Sequence, residues 1–210
     1  MNDNLLILGA GGHGQSVMDI ARAQGSWRRI AFLDDNSALK EIYGCPVLGG
    51  LEEYTAMKAD YRAAFVALGD NHLRINWINK LQSVGFTVPV LVHPHSWIGG
   101  HVSLGDGCVV MAGTCVNIGT EIERGCILNT GCALDHHNRL GEGVHISPGV
   151  HTGGTITVGA YTWICTGAAV GNNVSIAANV VIAAGAAVVE DIIEPGLYAG
   201  VPAKRKRKTV

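Results

Sequence analysis

The sequence predicts two folds in tandem, a small α/β sandwich of Rossmann type followed by a parallel β-solenoid. Three observations predict it. Apolar runs alternate with helical patterns up to residue 92. An aliphatic side chain then recurs at every sixth position for about a hundred residues. Charge thins where that period begins: residues 1–92 carry 8 Lys/Arg and 9 Asp/Glu, whereas residues 93–203 carry 2 and 8. The remaining 5 basic residues run from Lys204 to Lys208. These shifts set the expected divisions at 1–92, 93–203 and 204–210, the first beside His93-Pro94, where proline stops a continuing element.

Composition narrows the class further. Glycine supplies 29 of 210 residues, roughly twice its usual share, without a three-residue period, so a collagen-like chain is excluded. A hydrophobic content of 48% excludes a disordered one. The net charge of -2 predicts no general attraction to nucleic acid or to an anionic membrane. The longest apolar run, Val180 to Val189, is short of the ~20 residues needed to span a bilayer. Six cysteines without a C-x-x-C pair favour neither a disulfide framework nor a metal site. The acidic start Met1-Asn2-Asp3-Asn4 is unlike a signal peptide, so a reducing cytoplasm is expected.

In the first part, the run through Leu5, Ile7 and Leu8 reads as a strand ending at Gly9-Ala10-Gly11-Gly12-His13-Gly14. A helix follows with Val17, Ile20 and Ala21 on one face. Strands are expected at Ile30 to Leu33, at Phe65 to Leu68 and at Val88 to Val92, with a second helix presenting Leu73, Trp77, Ile78 and Leu81. Such alternation gives a parallel sheet with ligands beyond the strand C-terminal ends. Gly9, Gly11 and Gly14 fit G-x-G-x-x-G, and Asp34 lies twenty residues beyond Gly14. Glycines there let backbone amides and a helix N-terminus approach a phosphate, while Asp34 or Asp35 accepts hydrogen bonds from a ribose or base. A ligand-free tight turn and an NAD(P)-binding oxidoreductase remain open from this motif alone, although ~90 residues supply only half of a dinucleotide fold.

In the second part, the sixth-residue anchors run from Val92 through Ile98, Leu104 and onward to Val188, and sixteen of the seventeen are aliphatic; Thr152 is the exception. The position two residues earlier is small or aliphatic, as at Cys108, Cys126, Cys132 and Val144. A hexapeptide that is one short strand plus one turn, with its anchor pointing inward, accounts for both features and for the missing charge. Cys108, Cys126 and Cys132 are therefore read as packing residues and not as catalytic thiols.

The [Leu/Ile/Val]-Gly-x4 repeat and the closing Gly200-Val201-Pro202-Ala203-Lys204 resemble the left-handed β-helix acyltransferases. The Gly-Ala-Gly-Gly-His-Gly turn, Phe32-Leu33-Asp34-Asp35, Leu68-Gly69-Asp70-Asn71 and Asp135-His136-His137 narrow the resemblance. Together they are similar to the bacterial nucleotide-sugar N-acetyltransferases of the bacillosamine and perosamine pathways, with sialic-acid O-acetyltransferases as cousins. The resemblance implies a left-handed parallel β-helix with three hexapeptides per coil, acetyl-CoA as co-substrate, no metal, and a homotrimer with active sites between subunits. It implies direct acetyl transfer to the 4-amino group of a nucleotide-linked 4-amino-4,6-dideoxy sugar. O-acetylation of a sugar hydroxyl and a non-catalytic solenoid scaffold are the alternatives.

The same resemblance assigns residues. His136 matches the general base, and imidazole suits removal of a proton from an amine near neutral pH. His137 stands where the family usually has a second carboxylate, leaving Asp135 or Glu142 as the candidate to orient His136. Gly12, His13, Asp34, Asp35, Gly69, Asn71 and Asn129 are expected to contact the sugar nucleotide. His145 matches a histidine close to acetyl-CoA, Gly154 a glycine whose N–H faces the thioester oxygen, and Thr166 and Ala184 positions lining the pantetheine path. Lys204 and Arg205 are candidates for the CoA phosphates, with Lys206 to Lys208 in solvent or loosely binding polyanions. Seven of nine histidines lie between His93 and His151, where this chemistry would occur.

Overall fold

A computed structural model describes residues 3–206, which form two compact units, one ending at Pro94 and the other beginning at His95. In the first unit β1 (Asn4–Leu8) is the central strand of a three-stranded parallel sheet. It lies between β2 (Arg29–Leu33) and β5 (Ala63–Val66), with Leu5 opposite both Ile30 and Ala63. Leu5 to Leu8 are fully buried, as a strand covered on both faces requires. The helix α1 (Gly12–Gln24) buries Val17, Ile20 and Ala21. A small hairpin, β3 (Glu41–Ile42) and β4 (Cys45–Pro46), and a 3-10 stretch over Leu51–Ala59 separate β2 from β5.

Three local expectations are corrected. The third strand lies at Ala63–Val66, two residues earlier than the run Phe65 to Leu68, because the ladder with β1 starts at Ala63 opposite Leu5 and ends at Val66 opposite Leu8. Val88 to Val92 is a strand only at Leu91–Val92, since Pro89 offers no amide to a ladder. The helix α2 (Asn71–Ser83) buries Trp77, Ile78 and Leu81 as expected, but Leu73 is exposed and Arg74 takes the inward place. The Arg74 guanidinium donates to the carbonyls of Leu68 at 3.0 Å and Gly69 at 3.3 Å and to Asn71 Oδ1 at 2.9 Å. A buried charge persists when its donors are satisfied in this way.

The second unit is a parallel β-solenoid of about six turns, the left-handed β-helix class expected of the repeat. Short strands recur every six residues from Trp97–Ile98 to Ala187–Val188. They stack into three parallel sheets in which each residue faces the one eighteen places on: Cys115 opposite Ala133, Glu121 opposite Arg139, Ile127 opposite His145. Three hexapeptides thus close one coil. Main-chain bonds join the coils, as from Ala133 N to Val150 O and Arg139 N to Ile156 O, both 2.9 Å.

The anchors form the column that fills the interior. Val116, Leu128, Leu134, Ile146, Ile164 and Ile182 are buried. Thr152 keeps its place because its hydroxyl accepts a 2.8 Å bond from Asn138 Nδ2, while Asn138 Oδ1 accepts from Ile156 N at 3.0 Å. Cys108, Cys126 and Cys132 are fully buried, and burial pushes the Cys132 thiol up to about 12. They pack as small apolar residues.

The outward side chains distinguish the faces. One face presents Trp97, Cys115, Ala133, His151, Ala169 and Ala187, which after the first are mostly small. The next presents Ser103, Glu121, Arg139, Thr157 and Ser175, all polar. On the third, the ring of His145 stacks on Trp163 with centroids 5.5 Å apart and planes 9° apart. Stability measured by denaturant should follow this inside–outside division. Leu134→Ala removes an interior anchor and should cost about 2–5 kcal/mol. Arg139→Ala, which breaks only the exposed 3.2 Å pair with Glu121, should cost less than ~1 kcal/mol.

Candidate functional site

Two clusters gather the predicted residues, one in each unit. In the first, the glycine-rich turn after β1 is tied from several sides. Gly9, at φ +100, would place a Cβ 2.9 Å from the Ala67 carbonyl oxygen, and a Cβ on Gly14 would meet the Gly9 carbonyl at 1.9 Å. Those two glycines are required by the packing of the turn itself. Gly12 and Gly69 differ, because a Cβ on either would meet nothing within 4 Å.

Both oxygens of Asp34 are engaged. Ala10 N donates to Oδ2 at 2.7 Å and Asn36 N to Oδ1 at 2.9 Å, so Asp34 clamps the glycine turn to the end of β2. Asp34 is expected to accept from a ribose or base; within the chain it serves as this clamp. Asp35 Oδ1 accepts from Leu51 N at 2.8 Å, and Asp35 lines a cleft of about 290 Å³ with Asn36, Lys40, Gly49, Gly50 and Glu53. Asn71 begins α2 and holds Arg74.

His13 sits in the first turn of α1, largely covered, and its Nε2 makes no hydrogen bond to any described residue. Burial, and then the Arg74 charge, lower its pKa from 6.5 to about 4, so the ring is neutral near pH 7. Sequence reading missed Arg74, whose position on the apparent apolar stripe gave no sign of burial.

In the second unit, one corner of the solenoid carries Asp135, His136 and His137. The ring nitrogens His136 Nδ1 and His137 Nδ1 are 3.1 Å apart, a hydrogen-bonding distance. The His136 ring lies against Gly154, where a Cβ would come within 2.5 Å of Cε1 and 2.6 Å of Nε2. Gly119 supports His137 in the same way, at 2.7 Å from Cδ2. The two carboxylates named as candidates to orient His136 are bonded elsewhere in the chain. Asp135 Oδ1 accepts from the His136 main-chain N at 2.8 Å and from Asn117 Nδ2 at 3.1 Å, not from the ring. Those two bonds, the Asn117 one foremost, hold the Asp135 carboxyl below the usual range. Glu142 accepts from Arg124 Nε at 2.9 Å and from the Tyr161 hydroxyl, one corner away. The Tyr161 bond leads in lowering the Glu142 carboxyl below its ordinary value.

The Gly154 N–H donates to Asn172 Oδ1 at 2.8 Å. This is the N–H expected to face the thioester oxygen. Asn129 Oδ1 accepts from Thr130 N at 2.8 Å, a local turn bond, and Asn129 lies away from the His136 corner. Three partners were missed by the sequence reading, and each had a signal. Asn117 is eighteen residues before Asp135, Asn172 eighteen after Gly154, and Trp163 eighteen after His145, one coil apart in every case.

His145 is on the third face, and Thr166 and Ala184 stack on adjoining coils at its far corner, where Gly185 N donates to Thr166 O at 3.0 Å. Within one chain this group and His136 lie at opposite edges of the small-residue face. Lys204 and Arg205 form a short strand antiparallel to Gly196–Ala199. Lys204 pairs with Glu190 at 3.1 Å, and Arg205 with Glu194, so both charges expected at CoA phosphates are matched within the chain. Residues 207–210 of the basic tail lie outside the described residues. Among the described residues, no group of His, Cys, Asp and Glu is arranged to hold a metal ion.

Comparison with known proteins adds the following. The PglD N-terminal domain family matches residues 4–81. UDP-N-acetylbacillosamine N-acetyltransferase of Bacillus subtilis (strain 168) is 30% identical over 118 residues, which are 52% of this chain and 51% of that protein, so the match spans about half the length of that curated relative. The acetyltransferase domain of PglB from Neisseria gonorrhoeae FA1090, solved in complex with acetyl coenzyme A, superposes with a TM-score of 0.95 at 35% identity. That superposition covers 98% of this chain and 100% of that one. PerB from Caulobacter crescentus, in complex with CoA and GDP-perosamine, gives 0.92 at 34% identity over 97% of each chain.

The state of His13 is open to titration. Its folded pKa lies below the unfolded value, so the folded protein binds fewer protons between about pH 4 and 6.5. Stability should be fully present above pH 6.5 and decline as pH falls toward 4, by about 2–3 kcal/mol from this group. Denaturant titrations of His13→Asn at pH 4.5 and 7 should show a correspondingly flatter dependence.

Proposed function

Because the chain belongs to the PglD-like nucleotide-sugar N-acetyltransferases, with an α/β domain ahead of a left-handed β-helix, we propose that it moves the acetyl group of acetyl-CoA onto an amino sugar carried by a nucleotide. The finer reading is that the acceptor is the 4-amino group of a 4,6-dideoxy sugar. The observation that carries this reading is the His136 ring lying against Gly154 with a second imidazole 3.1 Å from its Nδ1.

The geometry supports a direct transfer with no covalent acyl-enzyme. When His136 Nδ1–H is donated to His137 Nδ1, the lone pair resides on His136 Nε2, beside Gly154. Nε2 takes the proton as the amine nitrogen bonds to the acetyl carbonyl carbon, and the C–S bond breaks to release CoA. The neighbouring imidazole thus performs the orienting role for which a carboxylate was expected. Asp135 and Asn117 fix the main chain beneath the ring.

In the first unit, Gly12 and Gly69 leave open space that the turn's own packing does not explain, while His13 is neutral beside it. This favours approach of a phosphate to the α1 N-terminus. The three-stranded sheet, half of a dinucleotide fold, argues against an NAD(P) oxidoreductase. In the second unit, His145, Thr166 and Ala184 are assigned to acetyl-CoA; a Cβ on Gly167 or Gly185, beside the last two, would meet nothing within 4 Å. A second copy packed on the small-residue face would bring one chain's His136 corner toward another's acetyl-CoA residues, which supports a homotrimer with sites between subunits.

A thiol-release assay with acetyl-CoA and a panel of UDP-, GDP- and dTDP-linked sugars tests the reading, with amine and hydroxyl acceptors compared at the same position. His136→Ala should lower kcat by about 10²–10⁴ while both KM values stay near normal. Unchanged kcat would transfer the base role to His145. His137→Glu should preserve or raise activity at neutral pH, because a carboxylate there strengthens the base. Asp35→Ala should raise the KM for the sugar nucleotide several-fold with little effect on that for acetyl-CoA. Equal changes in both would end the proposed division of labour between the units.

A further inference from the structure

Every coil turns its corners through residues in the left-handed backbone region, one in six. At one corner these are Gly113, Gly131, Gly149, Gly167 and Gly185, with φ from 65 to 71°. At the second they are Gly107, Gly125 and Gly143, then Tyr161 and Asn179. The third column reads His101, Gly119, His137, Thr155 and Asn173. It is the corner on which His136 sits, and it has departed furthest from glycine.

Most departures have an explanation. Asn and His enter this region more readily than other side chains. Tyr161 donates its hydroxyl to Glu142, a contact glycine could not make. Thr155 has neither. It is β-branched, at φ +58°, where such a residue is an outlier. Its side chain is exposed to solvent, so no interior contact compensates the conformation. Packing within the chain does not account for it.

Its surroundings do. Thr155 N donates to His136 O at 2.9 Å, and Thr155 stacks one coil above His137. The residue before it, Gly154, is the one the His136 ring covers. Thr155 thus directly follows the glycine covered by the imidazole on which the proposed chemistry turns, and its main chain is bonded to that of His136. Backbone strain of this kind persists where the residue's side chain is needed.

We propose that Thr155 is a specificity-determining residue whose hydroxyl hydrogen-bonds a hydroxyl of the acceptor sugar next to the amine held at His136. The proposal rests on the acetyl-transfer reading of that corner. Three variants separate the hydroxyl from the strain. Thr155→Val keeps the branched shape without the hydroxyl, Thr155→Ser keeps the hydroxyl with less crowding, and Thr155→Gly removes both.

Thermal unfolding should show Thr155→Gly raised by ~2–4 °C over the wild type and Thr155→Val close to it. Steady-state kinetics should show the acceptor KM raised about fivefold to tenfold in Thr155→Val and Thr155→Gly, with the acetyl-CoA KM unchanged and Thr155→Ser near wild type. An active wild type whose kinetics are unaltered by Thr155→Val overturns the proposal alone. So does a Thr155→Gly protein that melts lower, since the backbone would then hold no strain. A wild type that acetylates no amino-sugar nucleotide overturns the acetyl-transfer reading instead.

Discussion

The eighteen-residue coil is the constraint on which the second unit depends. Once Ala133 N bonds Val150 O and Arg139 N bonds Ile156 O, every residue's neighbours above and below are decided by its position in the chain. A parallel ladder of this kind has no freedom to slip by one residue without turning the aliphatic column outward. Side chains that form the candidate site inherit that rigidity. Asn117 beneath Asp135, Asn172 on Gly154 and Trp163 against His145 are all pairs that the coil brings into contact. Precise placement of an imidazole comes here from main-chain stacking, with side-chain bonds adding orientation.

The first unit solves a different problem, that of holding a glycine-rich turn open. Asp34 clamps the turn from the β2 side through Ala10 N, and the Ala67 carbonyl crowds Gly9 from the β5 side. Buried Arg74 fastens the following turn through the Leu68 and Gly69 carbonyls. Burial first, and then the Arg74 charge, keep His13 uncharged. The result is a turn fixed from both sides whose imidazole does not itself carry a charge.

Much of this was legible in the residues. The anchors from Ile98 to Val188 foretold the solenoid because a two-residue strand with one inward side chain leaves little else for a sequence to encode. The inward cysteines and the Gly9 and Gly14 turn were legible for the same reason, since sterics alone decide them. What escaped were hydrogen-bond partners. Asp34 has the same place in the chain whatever its carboxylate accepts from, and only geometry reveals its bond from the Ala10 amide. The same is true of Asp135, whose carboxylate turned to the main chain while His137 faced the His136 ring. Leu73 and Arg74 exchanged expected places because a helix face assigned from hydropathy ignores what carbonyls wait beside it.

The interior thiols have a bearing on the chemistry that surrounds them. A protein that handles a thioester and a free CoA thiol invites acyl exchange or mixed disulfides at any cysteine able to ionise. Cys132, held near 12 by burial, has almost no thiolate at neutral pH, and Cys108 and Cys126 are equally shut from solvent. The narrow solenoid interior thereby makes sulfur as inert as a methyl group, a form of chemical insulation that a looser fold would not provide.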